Sequence, residues 1–181
     1  MPATIDDLKK YNEAAHALCV GVFSILRNIE YIEKDFPLLD DEQQKKISRE
    51  YIYYRVFIVD YKTYRILGQT EEKVFRLAAF YDEVERIFNK EECKALMSFD
   101  TATMRQRIDL YANLYRNAGF DDSKAEGYSC AKILTLAGLE TDIDYDAHQY
   151  MNFRMGYFFR DNVAFDKLIQ KVLSLANVFS A

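Results

Sequence analysis

Apolar residues recur at spacings of three and four along most of the chain, which is the period of an α-helix. The first such segment runs from Leu8 to Ile32 and follows a Thr4/Asp7 pair of the capping-box type. Pro37 should end this segment, because proline disfavours the helical conformation of the preceding residue and has no N–H of its own. The pattern therefore predicts one long first helix between Thr4 and Pro37.

The second segment, residues 49–67, is apolar on nearly every side. Between residues 51 and 59 the single charged side chain is Arg55, and Ser48 and Lys62 lie seven positions to either side of it. A helix with this pattern belongs in the centre of a bundle rather than at its surface. We expect the Arg55 guanidinium to contact a carboxylate or a carbonyl, because an unpaired buried charge is costly.

Further helical segments follow, with an Asp or Thr at their start and in several cases a glycine after their end. They are expected to begin near Thr70, Asp100, Asp121 and Asp144, with a short helix around residues 93–97 and a break at Asp161-Asn162 before a terminal helix. The positions of the third helix expected to face the core are Val74, Leu77, Ala78, Tyr81, Val84 and Phe88.

Glycine (6) and proline (2) are scarce, which favours a few long helices over a fold with many turns. No segment shows a convincing period of two, and no linker-like stretch divides the chain. The sequence therefore predicts an all-α fold. We expect one domain, residues 1–181, in which six or seven helices form a bundle around the helix at 49–67.

Composition and charge disfavour several classes of function. The net charge is −5, with 24 basic and 29 acidic side chains spread along the chain. Nucleic-acid-binding domains and membrane-surface helices normally carry a basic patch or stripe, so neither nucleic acid nor a membrane is an expected partner. The longest apolar window, residues 14–26, is too short to span a bilayer.

The N-terminus and the cysteines indicate a reducing compartment. The first ten residues contain no apolar run of the kind found in a secretory signal. Cys19, Cys93 and Cys130 form no C-x-x-C motif, so neither a disulfide framework nor a zinc site is suggested. We therefore expect a cytoplasmic location.

Two sets of side chains have the spacing of metal ligands. Glu13 and His16 form an E-x-x-H pair, which di-iron bundles use to place a carboxylate and an imidazole on one helix face. Such a centre needs a second pair, and the other histidine, His148, follows Tyr145 rather than an acid at that spacing. Cys19 lies one helical turn after His16, but apolar surroundings disfavour its thiolate, so an inert thiol is expected.

The second set consists of Glu30 and Glu33 with Asp82 and Glu85. Carboxylates three residues apart share a helix face and could hold magnesium on adjacent helices. Their apolar neighbours fit an ordinary solvated helix edge better. The sequence leaves open whether either set binds a metal, and it assigns no cofactor and no catalytic residue.

Aromatic residues are the strongest remaining signal, with 14 tyrosines and 13 phenylalanines but no tryptophan. Tyrosine suits partner surfaces, although it equally suits half-buried positions at the edge of a core. Residues 150–159, YMNFRMGYFF, combine aromatic rings with methionines, which adapt to partners. The residues expected to contact a partner are Tyr51, Tyr54, Arg55, Tyr150, Phe153, Arg154 and Tyr157.

We therefore expect a non-enzymatic helical interaction protein that binds a protein partner through an aromatic-rich surface or groove and associates with itself as a homodimer. Two alternatives stay open. One is a small metal-dependent enzyme that hydrolyses nucleotides or diphosphates with carboxylates on adjacent helices. The other is a protein that holds an apolar ligand between its helices.

Three short segments resemble a family of poxvirus immune-modulating virulence proteins that share the helical fold of apoptosis regulators. They are Glu50 to Arg55 (EYIYYR), Phe80 to Glu83 (FYDE) and Cys130 to Ile133 (CAKI). The N-W-G-R signature of the cellular relatives does not occur in the chain. The resemblance implies an apoptosis-regulator-like helical fold and a role as a viral modulator of immunity or apoptosis.

Overall fold

The computed structural model describes residues 4–24, 40–91, 93–94, 98–138 and 159–177, with only the backbone of 159–161 and 175–177. These ranges contain six long helices and no strand. The helices are α1 (Ile5–Phe23), α2 (Asp41–Leu67), α3 (Glu71–Phe88), α4 (Thr101–Asn117), α5 (Asp122–Leu136) and α6 (Phe159–Asn177). The predicted all-α bundle is confirmed.

Helix α2 is the centre of the bundle, as its apolar pattern predicts. It packs against each of the five other helices. Every residue from Tyr51 to Val59 is buried, including Arg55. A helix that is apolar on nearly all sides removes most of its surface from water only when neighbours surround it.

Pairs of side-chain contacts show the relative directions of neighbouring helices. The Tyr81 hydroxyl donates to Asp60 Oδ2 at 2.7 Å, and Lys73 lies over the Tyr64 ring at 5.0 Å. Helix α3 therefore runs antiparallel to α2. The Tyr11 ring stacks on Phe75, farther along α1 His16 contacts Glu83, and so α1 runs parallel to α3.

The remaining helices alternate in the same way. On α4, Arg107 reaches Glu50 and Tyr115 reaches Tyr61, so α4 runs parallel to α2. Helix α5 begins beside Tyr61 and runs back antiparallel, while α6 follows α2 in parallel from Asn162 onwards. The C-terminal end of α2 thus lies beside the N-termini of α1, α3 and α5. We call it the upper end of the bundle.

Helix boundaries follow local capping chemistry. Thr4 and Asp7 form the predicted capping box at α1, and Asp40 and Gln43 form another at α2. Gly68 ends α2 with φ of +62°, a conformation that glycine adopts without strain. The predicted continuation of the first helix towards Pro37, part of the short helix at 93–97 and the start near Asp144 fall outside the described residues.

The predicted break at Asp161-Asn162 is wrong. Helix α6 continues through both residues. Asn162 is 5 % exposed, and its side-chain oxygen accepts a hydrogen bond from the Tyr51 hydroxyl at 3.0 Å. Its amide is therefore used between helices instead of competing with the helical backbone, which is the usual reason for asparagine to interrupt a helix.

The predicted core face of α3 is partly wrong. Val84 and Phe88 are buried as expected, but Val74 is 60 % exposed and Ala78 is also exposed. Arg76 takes the inward position instead, with 6 % exposure. Its long apolar stem can lie against the core while Glu72, one turn earlier, accepts from its guanidinium.

Gly21 allows the close crossing of α1 and α6. A methyl group on its Cα would overlap Leu168 Cδ2 and lie 2.9 Å from Phe165 Cε2. Neither neighbour is the free end of an exposed side chain, because Phe165 is 4 % exposed. The absence of a Cβ therefore sets the distance between these two helices.

The variant Gly21→Ala tests this close crossing, because two contributions of opposite sign decide whether the free energy of unfolding rises or falls. Helix propensity alone would stabilise the alanine variant by up to about 1 kcal/mol, whereas overpacking costs about 1–3 kcal/mol. We expect net destabilisation in urea unfolding followed by circular dichroism. The control Val20→Ala, at a neighbouring exposed position, should change the free energy of unfolding little. A stabilised Gly21→Ala variant would contradict the close crossing.

Candidate functional site

Arg55 is the largest fully buried side chain of the described residues, at 1 % exposure. Its Nη1 donates to the carbonyl oxygen of Gly21 at 2.7 Å and, more weakly, to that of Val22 at 3.4 Å. The same nitrogen lies 2.9 Å from Ser24 Oγ, which accepts a third bond. The prediction that Arg55 contacts a carbonyl is confirmed.

Two aromatic rings enclose the same guanidinium. Its central carbon lies 4.9 Å from the centre of the Tyr51 ring and 4.8 Å from that of Phe165. The negative ring faces stabilise a cation, and more so away from water. Arg55 therefore joins three helices, because its ring partners lie on α2 and α6 and its acceptors lie at the end of α1.

The acceptors are carbonyls in the last turn of α1, and that of Gly21 also accepts from the backbone N–H and the hydroxyl of Ser24. Helix α1 also has no basic residue in its last turn. A cation at a helix C-terminus stabilises it through the helix dipole. Arg55 thus caps α1 from a neighbouring helix, and this is a structural role performed inside the molecule.

The residues predicted to contact a partner fall into two groups. Tyr51, Tyr54 and Arg55 lie in the core, with exposed fractions of 0, 0 and 1 %. A partner would have to enter between helices to reach them, so their role in binding stays a prediction. The other group, Tyr150, Phe153, Arg154 and Tyr157, lies outside the described residues.

Much of the aromatic excess forms a column between α2 and α4. The hydroxyls of Tyr54 and Tyr115 are hydrogen-bonded to each other at 2.9 Å. The Tyr54 ring meets that of Tyr111 at 5.2 Å, and the Tyr115 ring meets that of Tyr61 at 4.7 Å. Burial raises the pKa of Tyr54 and Tyr115, so both hydroxyls stay protonated and act as hydrogen-bond partners.

An ion-paired cluster lies at the upper end of this column. Lys62 Nζ lies 2.9 Å from Asp122 Oδ2 and 3.1 Å from Asp166 Oδ2, while the Tyr61 hydroxyl donates to Asp122 Oδ1 at 2.9 Å. Burial alone would lower the pKa of Lys62, but its bonds to the two aspartates outweigh burial and raise it. The cluster therefore binds α2, α5 and α6 together through a charged lysine.

A second buried ion pair connects α2 to α4. Arg107 donates through Nε to Glu50 Oε2 at 2.6 Å and through Nη2 to Glu50 Oε1 at 3.1 Å. The hydrogen bonds that Arg107 donates to Glu50 raise the pKa of the guanidinium further. Two parallel bonds between a guanidinium and a carboxylate fix both side chains. Glu50 is thereby used for helix packing.

His16 contacts an acid on another helix. Its Nδ1 lies 2.9 Å from Glu83 Oε1, and Arg86 donates to both oxygens of Glu83 at 2.6 Å. The bond from Arg86, opposed by burial and helped by His16, lowers the pKa of Glu83 to about 2. Within the described ranges, no group of three or more His, Cys, Asp or Glu side chains could hold a metal ion.

The other acidic set is only partly described. Glu85 lies 3.7 Å from Arg105, and Asp82 is exposed. Glu30 and Glu33 are outside the described residues, so a metal between these pairs stays a prediction. Cys19 is fully buried, and burial raises the pKa of its thiol to about 12. A thiol that stays protonated is a poor nucleophile.

The described helices contain none that is long and apolar enough to cross a membrane. A cavity between α1, α2, α3 and α6 measures about 10 Å³. Small-molecule pockets usually measure about 300–1,000 Å³. This cavity is far too small for the apolar ligand that one alternative requires.

Exposed apolar side chains are concentrated at the upper end of the bundle. Seven of the ten large ones in the described residues lie there, and the other three are Val20, Tyr128 and Val163. We call the seven the end surface: Ile5, Leu8, Tyr64, Ile66, Val74, Phe75 and Phe120. The sequence interpretation missed this surface because it assigned Val74 to the core and chose Tyr51 and Tyr54 of α2 as partner-binding residues.

The chain matches no protein-family model, and comparisons with curated proteins and with solved structures found no significant match. The resemblance to poxvirus virulence proteins therefore gains no support from known structures and stays a prediction.

The variant Arg55→Met tests the structural role of the buried cation. Losing the donor removes the hydrogen bonds of a charged group to the carbonyls of Gly21 and Val22 and to Ser24 Oγ, and a bond of this kind contributes about 1.5–3 kcal/mol. We expect a lower free energy of unfolding and faster hydrogen exchange at the end of α1. Arg65→Met, at an exposed position of the same helix, serves as the control. Equal stability of the two variants would contradict the capping role.

The variant Glu83→Gln tests the ion pair with Arg86 and His16 through its pH dependence. A carboxyl whose folded pKa, about 2, lies below its ordinary 4.5 stabilises the fold fully above pH 4.5, and the effect is lost as pH falls towards 2. The stability difference between wild type and variant should therefore be largest near neutral pH and shrink on acidification. Glu13→Gln, at an exposed position of α1, should show no such trend.

Proposed function

We propose that this chain is a non-enzymatic interaction protein that binds a protein partner through the end surface. The observation that carries the proposal is the concentration of exposed apolar side chains at one end of the bundle. Ile5 is 86 % exposed and Val74 is 60 % exposed, and both lie at the starts of neighbouring parallel helices. Exposed apolar side chains concentrated at one part of a surface favour an interaction site.

Aromatic side chains give the end surface a defined shape. The Phe75 ring stacks on the Tyr11 ring with an interplanar angle of 6°. The Arg76 guanidinium lies over the Tyr11 ring, 5.5 Å from its centre. Aromatic rings held by neighbours lose little conformational entropy when a partner binds. Tyrosine and phenylalanine are also enriched at protein–protein interfaces.

Phe120 supports the same interpretation. It is 54 % exposed and has φ of +60°, in the left-handed region that phenylalanine rarely adopts. Its amide donates to the Tyr115 carbonyl at 2.9 Å, so the α4–α5 turn holds the ring outward. A strained backbone that presents an apolar ring to solvent favours a role in binding over one in packing.

The charged groups seen in the core and at its edges support a structural use. Glu50, Glu83 and Asp122 each pair with a basic side chain, and each pair joins helices or stabilises a helix face. A carboxylate that already accepts hydrogen bonds from an arginine or a lysine is a weaker proton acceptor and a weaker metal ligand than a free one. These carboxylates therefore favour the interaction hypothesis over a hydrolytic site built from them.

A pair of charge-matched variants tests the proposal. Ile5→Glu combined with Val74→Glu places two carboxylates in the end surface. The control, Val20→Glu combined with Val163→Glu, adds the same charge at positions 49 % and 46 % exposed elsewhere on α1 and α6. Exposed substitutions of this kind change stability by about 0.5 kcal/mol or less, so both variants should fold.

Each tagged chain is purified from its native source, and co-purified proteins and molar mass are measured by quantitative mass spectrometry and light scattering. We expect the end-surface variant to lose a protein, or a second copy of the chain, that the control retains. A lost second copy identifies self-association, and a lost foreign chain identifies a separate partner. Identical results for both variants and wild type would refute binding through this surface.

A further inference from the structure

Arg76 on α3 is a buried cation, and one of its guanidinium nitrogens has no hydrogen-bond partner among the described residues. Its side chain is 5 % exposed, and Nε donates to Glu72 Oε1 at 2.9 Å, with Nη2 donating to the same oxygen. Nη1 is buried and has no hydrogen-bond partner among the described residues. Leaving a buried donor unsatisfied costs about 1–3 kcal/mol and more when the group is charged.

The small cavity between four helices borders this side chain. It measures about 10 Å³, and its lining includes Arg76, Thr63, Tyr11 and Leu173. Thr63, which is 1 % exposed, is one of the few lining residues with a polar side chain, and the others are mainly aliphatic and aromatic. One water molecule needs a space of about 10–15 Å³ on this measure, together with at least two polar partners.

We propose that this cavity binds a single water molecule, which accepts a hydrogen bond from Arg76 Nη1 and donates one to Thr63 Oγ1. The water satisfies one N–H of Arg76 Nη1, which has no protein partner among the described residues, and connects α3 to α2. Ordered water that satisfies buried polar groups is part of a protein's structure and is costly to remove.

The charge around the cavity favours water over an anion. A ligand of Arg76 Nη1 must accept a hydrogen bond, and both water and a halide ion do so. Glu72 already neutralises the guanidinium through two bonds to one carboxylate oxygen. An anion in a mainly apolar cavity beside a neutralised arginine would carry an uncompensated buried charge, which is unfavourable.

The bound water also affects the end surface, although the proposal does not depend on partner binding. The Arg76 guanidinium lies 5.5 Å from the Tyr11 ring, which stacks on Phe75. A water molecule that is hydrogen-bonded to Nη1 restrains the position of the guanidinium. It thereby fixes the position of the Tyr11 and Phe75 rings.

High-resolution crystal structures of the full chain and of two Thr63 variants test the proposal. Wild type and Thr63→Ser should show one water peak within hydrogen-bond distance of Arg76 Nη1. Thr63→Val keeps the side-chain shape but removes the hydroxyl, so it should lose the peak or show reduced occupancy. Water-to-protein nuclear Overhauser effects at residues lining the cavity should follow the same order in solution.

Two outcomes would overturn the proposal. One is a wild-type structure in which the cavity is empty or Arg76 Nη1 bonds to a protein oxygen. The other is an anomalous signal at this position after soaking in bromide, which would show an anion site instead. Neither outcome affects the proposed partner surface, because the test with the Glu variants does not involve Arg76.

Discussion

The buried guanidinium of Arg55 holds the bundle together at the point where α1, α2 and α6 meet. Its Nη1 donates to the carbonyls of Gly21 and Val22 in the last turn of α1, and the guanidinium lies against the rings of Tyr51 and Phe165. Gly21 serves this junction twice, since its carbonyl accepts from Arg55 and its missing Cβ admits Phe165. Backbone carbonyls and ring faces therefore replace part of the water that the buried cation gives up.

The sequence predicts those features that follow from local periodicity and fails where a polar residue has a distant partner. The apolar run around Arg55 identifies α2 as central, and the need to satisfy a buried charge predicts its carbonyl contact. The orientation of α3 is mispredicted because hydropathy places Arg76 outside, although Glu72 and the Tyr11 ring stabilise it inside. Asn162 is misread for the same reason, since its partner, Tyr51, is remote in sequence. Tyr51 and Tyr54 are buried, as the central position of α2 requires, so binding of a partner through them stays a prediction.

The tyrosines show why aromatic content alone is a poor guide to surface function. A tyrosine hydroxyl can be buried at little cost when another buried group bonds to it. Tyr54 and Tyr115 satisfy each other at 2.9 Å, and Tyr51 uses Asn162. Large aromatic rings thus fill a wide space between α2 and α4, and few charged groups are needed to satisfy their hydroxyls. The same residues that made the central helix a candidate binding surface are the ones that fill the core.

Paired polar side chains and exposed apolar side chains lie in different parts of the molecule, the first in its middle and the second at its upper end. Polar side chains of the middle are used in pairs between helices, as with Glu50 and Arg107 or Tyr51 and Asn162. At the upper end, Ile5 and Val74 at the starts of α1 and α3 are instead 86 % and 60 % exposed. Exposed isoleucine and valine at such positions lower solubility and add nothing to the core, so their presence is costly for an isolated chain. A partner that covers them would remove that cost, which is the physical reason for proposing a binding surface at this end.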